Sequence, residues 1–422
     1  MDELRALLLT FFGASPAATA LTVFIFDIPR DFLSLTGLAL GRKKNVRALT
    51  KASTAEAEDI TAVIPVYNDA EGLLVSLRSI KQQPSPPGRI IVISDGSTDT
   101  TNPVLTSLRD RGEIDTLIIN ERRLGRGVAG NVALHYVETD FVVFIDCDTQ
   151  LAPNALIALR QRLKERPNAG SCSGNIGISN HRTSLWTALQ QLEYMVAIDF
   201  GREFMDNFNA IACCSGAFSM FRRKALCTIG GFSPGSGEDL GTTLRFRRAG
   251  YEVHFEAEGW AYTNAPETLS ALIQQRLRWD RDAFRIQVLQ YQQWKKQSPR
   301  ESSGNSLQRY DYLLFTLLPT LMMPFLIPII AGVPSDLRPE FLIGGYLFLI
   351  GISAFTLAPA FIAYRGQTPT FLLLLIPVYP LYQGLIMKAV RLYAYLSEVI
   401  GHASKDDHYV PARIRQKLDR NL

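Results

Sequence analysis

The sequence predicts an α/β fold: a doubly wound, mostly parallel sheet inserted between transmembrane helices, with amphipathic helices at the interface. Three observations carry this reading. From Asp59 onward, short β-branched runs alternate with helical stretches, the pattern of a sheet buried on both faces. No charge interrupts residues 6–26, 312–335, 341–364 or 366–387, and each run is long enough for a hydrocarbon core of roughly 30 Å. Between the first run and the rest, over about 50–300, charges are spread throughout as in a soluble domain.

The first run contains "ASPAATA", whose small residues resemble a cleavage site. However, apolar "LTVFIF" continues past it and the start "MDELR" is not basic, so a retained anchor is expected. Arg30, Arg42, Lys43, Lys44, Arg47 and Lys51 come next and place the following domain in the cytoplasm by the positive-inside rule. The expected organisation is an N-terminal transmembrane anchor over 1–45, a cytoplasmic domain with interfacial helices over 46–300, C-terminal transmembrane and interfacial helices over 301–403, and a basic cytoplasmic tail over 404–422. Four crossings from an outside N-terminus would leave the basic "PARIRQKLDR" outside. Either one run fails to cross, or the N-terminal region crosses twice. The run 366–387 is the weakest, with Pro369, Pro377 and Pro380. After it, Ala389, Leu392, Tyr393, Leu396, Val399 and Ile400 form an apolar stripe off Lys388, Arg391 and Glu398, which reads as an amphipathic helix on the membrane surface.

Within the soluble domain "ITAVIPVY", "RIIVISD", "DTLIIN" and "FVVFIDCD" read as strands, with helices over 70–83 and about 127–138. Ligands of such sheets bind beyond the strands' carboxyl ends. Here those ends carry "PVYND", "SDGSTD" and "DCD". Five cysteines, an odd number without a CxxC pair, fit a reducing compartment. Lys and Arg number 44 against 40 acids, and much of that small excess flanks apolar runs, which leaves no footprint for nucleic acid. The five histidines have no zinc spacing, and there is no GxSxG nucleophile elbow.

Each motif has a dull and a functional reading. Asp146 and Asp148 in "DCD" are either solvated acids at a strand end or a pair converging on one hard cation, Mg2+ or Mn2+, bridging to a diphosphate. "SDGSTD" is either a turn or a site where Asp95 accepts a base N–H. "LGRGVAGNVAL" opens a helix around Arg126, which suits phosphate or base contact, although it lacks a Walker ending. Glu238 and Asp239 start a helix after a glycine-rich loop. A helix dipole explains one such acid better than two. Cys213 and Cys214 read as structural or surface-lining. In "QQRLRWDRDAFR", Gln275, Arg278 and Trp279 share one helix face, while Ile273, Leu277 and Phe284 turn away.

Taken in order, these pieces resemble a membrane-integrated family-2 glycosyltransferase. The likeness runs from "IPVYND" through "DCD", "CCSGAFSMFRR" and "SGED" to "QRLRW", about Ile60 to Arg285. It is similar to hyaluronan, chitin-oligosaccharide and poly-N-acetylglucosamine synthases, and more distantly to cellulose synthases. The resemblance implies a type A nucleotide-sugar-binding fold and an inverting, metal-dependent transfer from a UDP-sugar, with N-acetylglucosamine the first choice and glucose the second. It implies donor contacts from Pro65, Tyr67, Asp95, Arg126, Asp146, Gln275 and Arg278, and a metal on Asp146 and Asp148. It makes Asp239 the general base with Glu238 beside it, and puts Trp279, Cys214, Ser215 and Gly216 at the acceptor. An indole offers a flat apolar face to a pyranose, and a guanidinium pairs bidentately with phosphate oxygens. The competing role for Trp279 and Arg278 is as lipid-interface anchors.

The chain departs from the pattern in three places. Ser94 stands before Asp95 where a second Asp is common, Arg126 replaces a common lysine, and "HYVPARIR" lacks a Trp-Gly-Thr element. The last puts a hyaluronan product in doubt. Three functions compete: a processive polysaccharide synthase that exports its product through the membrane, an enzyme glycosylating a membrane lipid, and an inactive nucleotide-sugar-binding scaffold. Partners are the UDP-sugar, a growing glycan or lipid acceptor, and membrane lipids. No partner subunit can be named from the sequence.

Overall fold

The computed structural model describes residues 1–26, 28, 57–290, 303–363 and 370–406. The basic residues used for orientation, Arg30 to Lys51, and the tail "HYVPARIR" lie outside the described residues. The first apolar run is two helices, α1 (Asp2–Ala14) and α2 (Pro16–Ile25), bent by 100°. The cause is local. Ser15 is extended, its hydroxyl accepts the Ala18 N–H at 3.2 Å, and Pro16 follows at the first helical position. These are signals that open a new helix.

The four expected strands form β1 (Ala57–Val66), β2 (Pro87–Asp95), β3 (Thr116–Asn120) and β4 (Phe141–Ile145), all parallel in the order β3-β2-β1-β4. Between them run α3 (Ala70–Lys81), α4 (Thr101–Asp110) and α5 (Arg126–Leu134). Along β1, Ile60, Ala62, Ile64 and Val66 join one apolar cluster while Val63 joins the other. Both faces of the sheet are therefore covered, which is why the strand reads as a continuous apolar run.

Beyond β4 the sheet is mixed rather than doubly wound and mostly parallel. Its eight strands run β3-β2-β1-β4-β7-β6-β8-β5, adding β5 (Gln150–Leu151), β6 (Ala169–Ile178), β7 (Phe218–Arg222) and β8 (Glu252–Thr263). Strand β7 is antiparallel to both β4 and β6, β6 and β8 are parallel, and β5 pairs antiparallel with β8. The principal helices of this half are α6 (Ala155–Glu165), α7 (Leu185–Tyr194), α8 (Glu238–Arg248) and α9 (Leu269–Phe284).

Among the described residues, two helical stretches are long and apolar enough to cross a membrane: Gly304–Ala331 and the first 21 residues of α10 (Arg338–Ala363). The run 366–387, described from Thr370, is broken into a 3-10 segment Thr370–Leu375, a short helix Tyr379–Leu381 and a π-turn Tyr382–Met387. Pro377 and Pro380 supply no N–H to a continuous helix there. Helix α7 packs on this region, with Leu192 and Met195 against Leu357 and Leu372. The last helix, α11 (Lys388–Gly401), buries Lys388 and Glu398 and exposes Tyr393, Leu396, Val399 and Ile400. Its polar side faces protein and its apolar stripe faces outward. The Lys388 amine donates to the Ile25 carbonyl at the end of α2.

Candidate active site

The site grows from the carboxyl ends of β1, β2 and β4. Pro65 lies past the last β1–β4 partner, Val63 with Phe144, so its missing N–H costs no ladder bond on that side. It is buried. Tyr67 is exposed, with the Arg123 guanidinium 4.0 Å over its ring. Asp95 is buried at the end of β2. Its carboxylate accepts the Leu124 and Gly125 N–H groups at 2.8 Å each and Asn120 Nδ2 at 3.1 Å. In this structure Asp95 therefore shapes the loop that delivers Arg126. That loop crosses Gly96 so closely that a Cβ there would sit 2.4 Å from the Arg123 nitrogen, and φ is +77°.

Asp146 and Asp148 leave β4 together. Asp148 is pushed up to about 6, first by burial and then by the charges of Asp146 and Asp69. The Thr149 and Thr263 hydroxyls donate to it from 3.5 and 3.4 Å. Asp69 caps α3 by accepting the Gly72 N–H at 2.9 Å and accepts the Cys147 thiol at 3.4 Å. Asp148 is thus weakly supplied with donors while Asp146 and Asp69 are each paired, and among the described residues no three such side chains gather closely enough to hold a cation by themselves. Asp146 and Asp148 could serve one only with oxygens from a diphosphate completing the set. Asp69 is an addition the sequence reading did not single out, although it closes "PVYND".

Arg126 is the hub. Its Nε donates to Asp146 Oδ1 at 2.7 Å, Nη1 donates to Glu238 and Nη2 to the Gly216 carbonyl, while the guanidinium lies 4.5 Å over the Phe144 ring. Burial opposes its charge, yet Asp146, Glu238 and Asp239 hold it above its usual range. Burial conversely raises Glu238, with Arg126 pulling the other way. Asp239, half-buried at the start of α8, accepts the Leu240 N–H at 2.7 Å. A Cβ built on Gly216 would stand 3.2 Å from Arg126 Nη1 and 3.4 Å from Asp239 Oδ2. One guanidinium thus joins the strand-end acids to the acids of "SGED".

The cysteine expectation needs correcting. The Cys214 side chain is buried in the second apolar cluster and shares a hydrogen bond with Ser171 at 3.2 Å. The neighbouring Cys213 thiol is the one beside Asp239, held well above its ordinary range by burial and that carboxylate. Ser215 meets Ser173 through its N–H at 3.0 Å, and Gly216 contributes its carbonyl as above.

Helix α9 supplies the remaining wall. Gln275 and Arg278 are half-buried and Trp279 is 37% exposed. Gln275 Oε1 is shut from solvent with no hydrogen-bond donor among the described residues, an orphan acceptor that costs about 1–3 kcal/mol unless something supplies an N–H or O–H. The Arg276 guanidinium lies 4.4 Å over the Trp279 ring. It is held there by Glu193 of α7 at 2.9 Å, and Glu193 also accepts the Tyr382 hydroxyl at 2.8 Å. Burial raises the Tyr194 phenol at the end of α7, with the Arg276 charge pulling the other way. Arg276 and Glu193 were missed because their partners lie 83 residues apart along the chain. Outside the site, α9 docks on α11 through Arg391 and Asp280 at 3.0 Å, Arg281 and Ser397 at 2.9 Å, and Phe284 stacked 4.8 Å from Tyr395.

This arrangement has known counterparts. A poly-beta-1,6-N-acetyl-D-glucosamine synthase of Staphylococcus epidermidis is 26% identical over 236 residues, covering 56% of this chain and 57% of that protein. An N-acetylglucosaminyltransferase of Sinorhizobium fredii is 29% identical over 244 residues, 54% of this chain and 58% of that protein. The matched part spans under two thirds of these relatives. A mannosyltransferase from Pyrobaculum calidifontis, solved in complex with GDP-Man and Mn2+, shares the fold with a TM-score of 0.64 at 16% identity, covering 94% of this chain and 98% of that one. The family profile described as "Glycosyltransferase like family 2" matches residues 57–281, more than half of the chain. On that match, laid over the acids of β4, the "SGED" helix and the α9 wall, the chain belongs to the family-2 glycosyltransferases.

Proposed function

We propose that the chain is an inverting, metal-dependent and processive hexosyltransferase of the cell membrane. It polymerises UDP-N-acetylglucosamine, with UDP-glucose the second choice, into a β-linked polysaccharide on the cytoplasmic side and passes the product among its apolar helices. The single observation that carries this reading is Arg126, which joins Asp146 to Glu238 beside Asp239. Donor acids and acceptor acid converge on one point, as a transfer between two sugars requires.

Asp146 and Asp148 would hold Mg2+ or Mn2+, which when bound would supply charge neutralisation for the departing diphosphate. Tyr67 lies where the base enters, and Arg278 and Gln275 face the donor from α9. The acceptor hydroxyl oxygen attacks the anomeric carbon while the bond from that carbon to the diphosphate oxygen breaks. Asp239 takes the hydroxyl proton, and UDP leaves with the bonding pair. One displacement turns an α-linked donor into a β-linked product. Trp279 lies under the acceptor sugar, with one ring face already covered by Arg276. The outward stripe of α11 and the two long apolar helices support placement at a membrane.

The test is to incubate the purified full chain with a panel of UDP-sugars and Mn2+, measure UDP release and size the labelled product by gel and mass spectrometry. UDP released from UDP-N-acetylglucosamine with a ladder of products is the expected result. A single lipid-linked sugar would replace the polymerase reading with lipid glycosylation. No release from any donor would mark the chain as a binding scaffold.

A further inference from the structure

The acidic and basic residues that follow Trp279 in "WDRDAFR" have no part in the chemistry above, yet two of them grip the loop that precedes the base. The Ser236 hydroxyl donates to Asp282. Arg285 Nη2 donates to the Ser236 carbonyl at 2.9 Å and to Asp282 Oδ1 at 2.9 Å. Gly237 has φ of +70°, and a Cβ on it would stand 2.9 Å from Asp282 Cβ and 3.1 Å from Ile286 Cδ1. The loop backbone is thus pressed against the last turn of α9 with no room for a side chain. Asp282 is only 4% exposed. A carboxylate this buried is kept because it is paired on both oxygens, here to the hydroxyl of the loop and the guanidinium of its own helix.

The geometry has a direct mechanical meaning. Glu238 and Asp239 begin α8 immediately after Gly237. Trp279 lies one turn before Asp282 on α9. A single rigid helix therefore carries the acceptor platform at one turn and clamps the approach to the base at the next. We propose that Asp282 and Arg285 are positioning residues for acceptor deprotonation: by holding Ser236 and Gly237 they fix Asp239 at a set distance from the sugar on Trp279. This rests on the reading of Asp239 as base and Trp279 as platform. Because a general base must lie within hydrogen-bond reach of its proton, a displacement near 1 Å is costly to turnover and indifferent to donor binding.

Ser236→Ala removes one side-chain contact of the clamp and no group in the site, and Ser236→Thr restores the hydroxyl. Full-length variants would be assayed for UDP release from UDP-N-acetylglucosamine with Mn2+, with UDP affinity measured separately. Ser236→Ala should lower kcat about tenfold or more while the donor KM and UDP affinity stay within about twofold, and Ser236→Thr should recover most of the loss. Asp282→Asn, which keeps one acceptor and loses the charge, should fall between them in kcat. Wild-type kcat in Ser236→Ala overturns the inference, as does a rise in donor KM that matches the fall in kcat, or failure of Ser236→Thr to rescue. Asp239→Asn in the same assay separates the two levels. If it is inactive while Ser236→Ala is normal, only the clamp fails; if it turns over normally, the base assignment fails first.

Discussion

The two walls of the site are built by different means. On the wall proposed to take the donor's base and diphosphate, Tyr67, Asp95, Asp146 and Asp148 stand at the ends of parallel strands, fixed by main-chain ladders and by loop N–H groups such as those of Leu124 and Gly125. On the other wall Gln275 and Arg278, proposed donor contacts, and Trp279, the proposed acceptor platform, sit on one helix, fixed by side chains from α7, the π-turn Tyr382–Met387 and α11. A sheet edge is rigid through its own backbone. A helix face is only as well placed as what it packs on, and here that includes elements adjoining the apolar stretches. Disturbance of those stretches should therefore reach the α9 wall before it reaches the strand ends.

The largest effect that could break this contrast is at the cation. Asp146→Asn or Asp148→Asn should lower kcat/KM by about 100-fold or more, with the loss visible as weaker UDP binding in the presence of Mn2+. If UDP binds these variants as it binds wild type, the donor wall has been misassigned. Trp279→Ala comes next. Transfer should fall about tenfold or more through loss of the stacking surface, while UDP affinity measured by calorimetry is retained; equal loss of both would merge the two walls into one. Packing sharpens the comparison further. Leu192 is fully buried where α7 meets Leu357 and Leu372. Leu192→Ala should cost about 2–4 kcal/mol in chemical denaturation. The smallest effect belongs far from both walls. Lys81 and Glu113 form a partly exposed pair at 3.6 Å, and Lys81→Ala should change stability by less than about 1 kcal/mol and leave turnover alone.

The same difference governs what could be read in advance. Strands β1 to β4 are short β-branched runs with turn and acidic residues at their ends, so both the elements and the candidate acids were legible from local pattern. Strand β6 was not, because "AGSCSGNIGI" is made of small residues with weak strand preference; only its complete burial between β7 and β8 makes it a strand. Strands β5, β7 and β8 were not read either, and it is β7 and β5 running antiparallel to their neighbours that makes this half of the sheet mixed. "QRLRW" was legible as a helix face, but Arg276 under Trp279 depends on Glu193 and Tyr382, which no spacing in the sequence brings together. Cys213 and Cys214 are adjacent and chemically identical, and only the fold decides which thiol faces Asp239. The bend at Ser15 and Pro16 carried a local signal that an uninterrupted apolar run concealed.

The proposed function turns on Asp239 as the group that removes the acceptor proton. The most direct measurement is single-turnover transfer from UDP-N-acetylglucosamine by Asp239→Asn, with UDP and Mn2+ binding followed on the same preparation. Transfer slowed by about 100- to 10,000-fold with unchanged binding is the expected result. Transfer at the wild-type rate would contradict it.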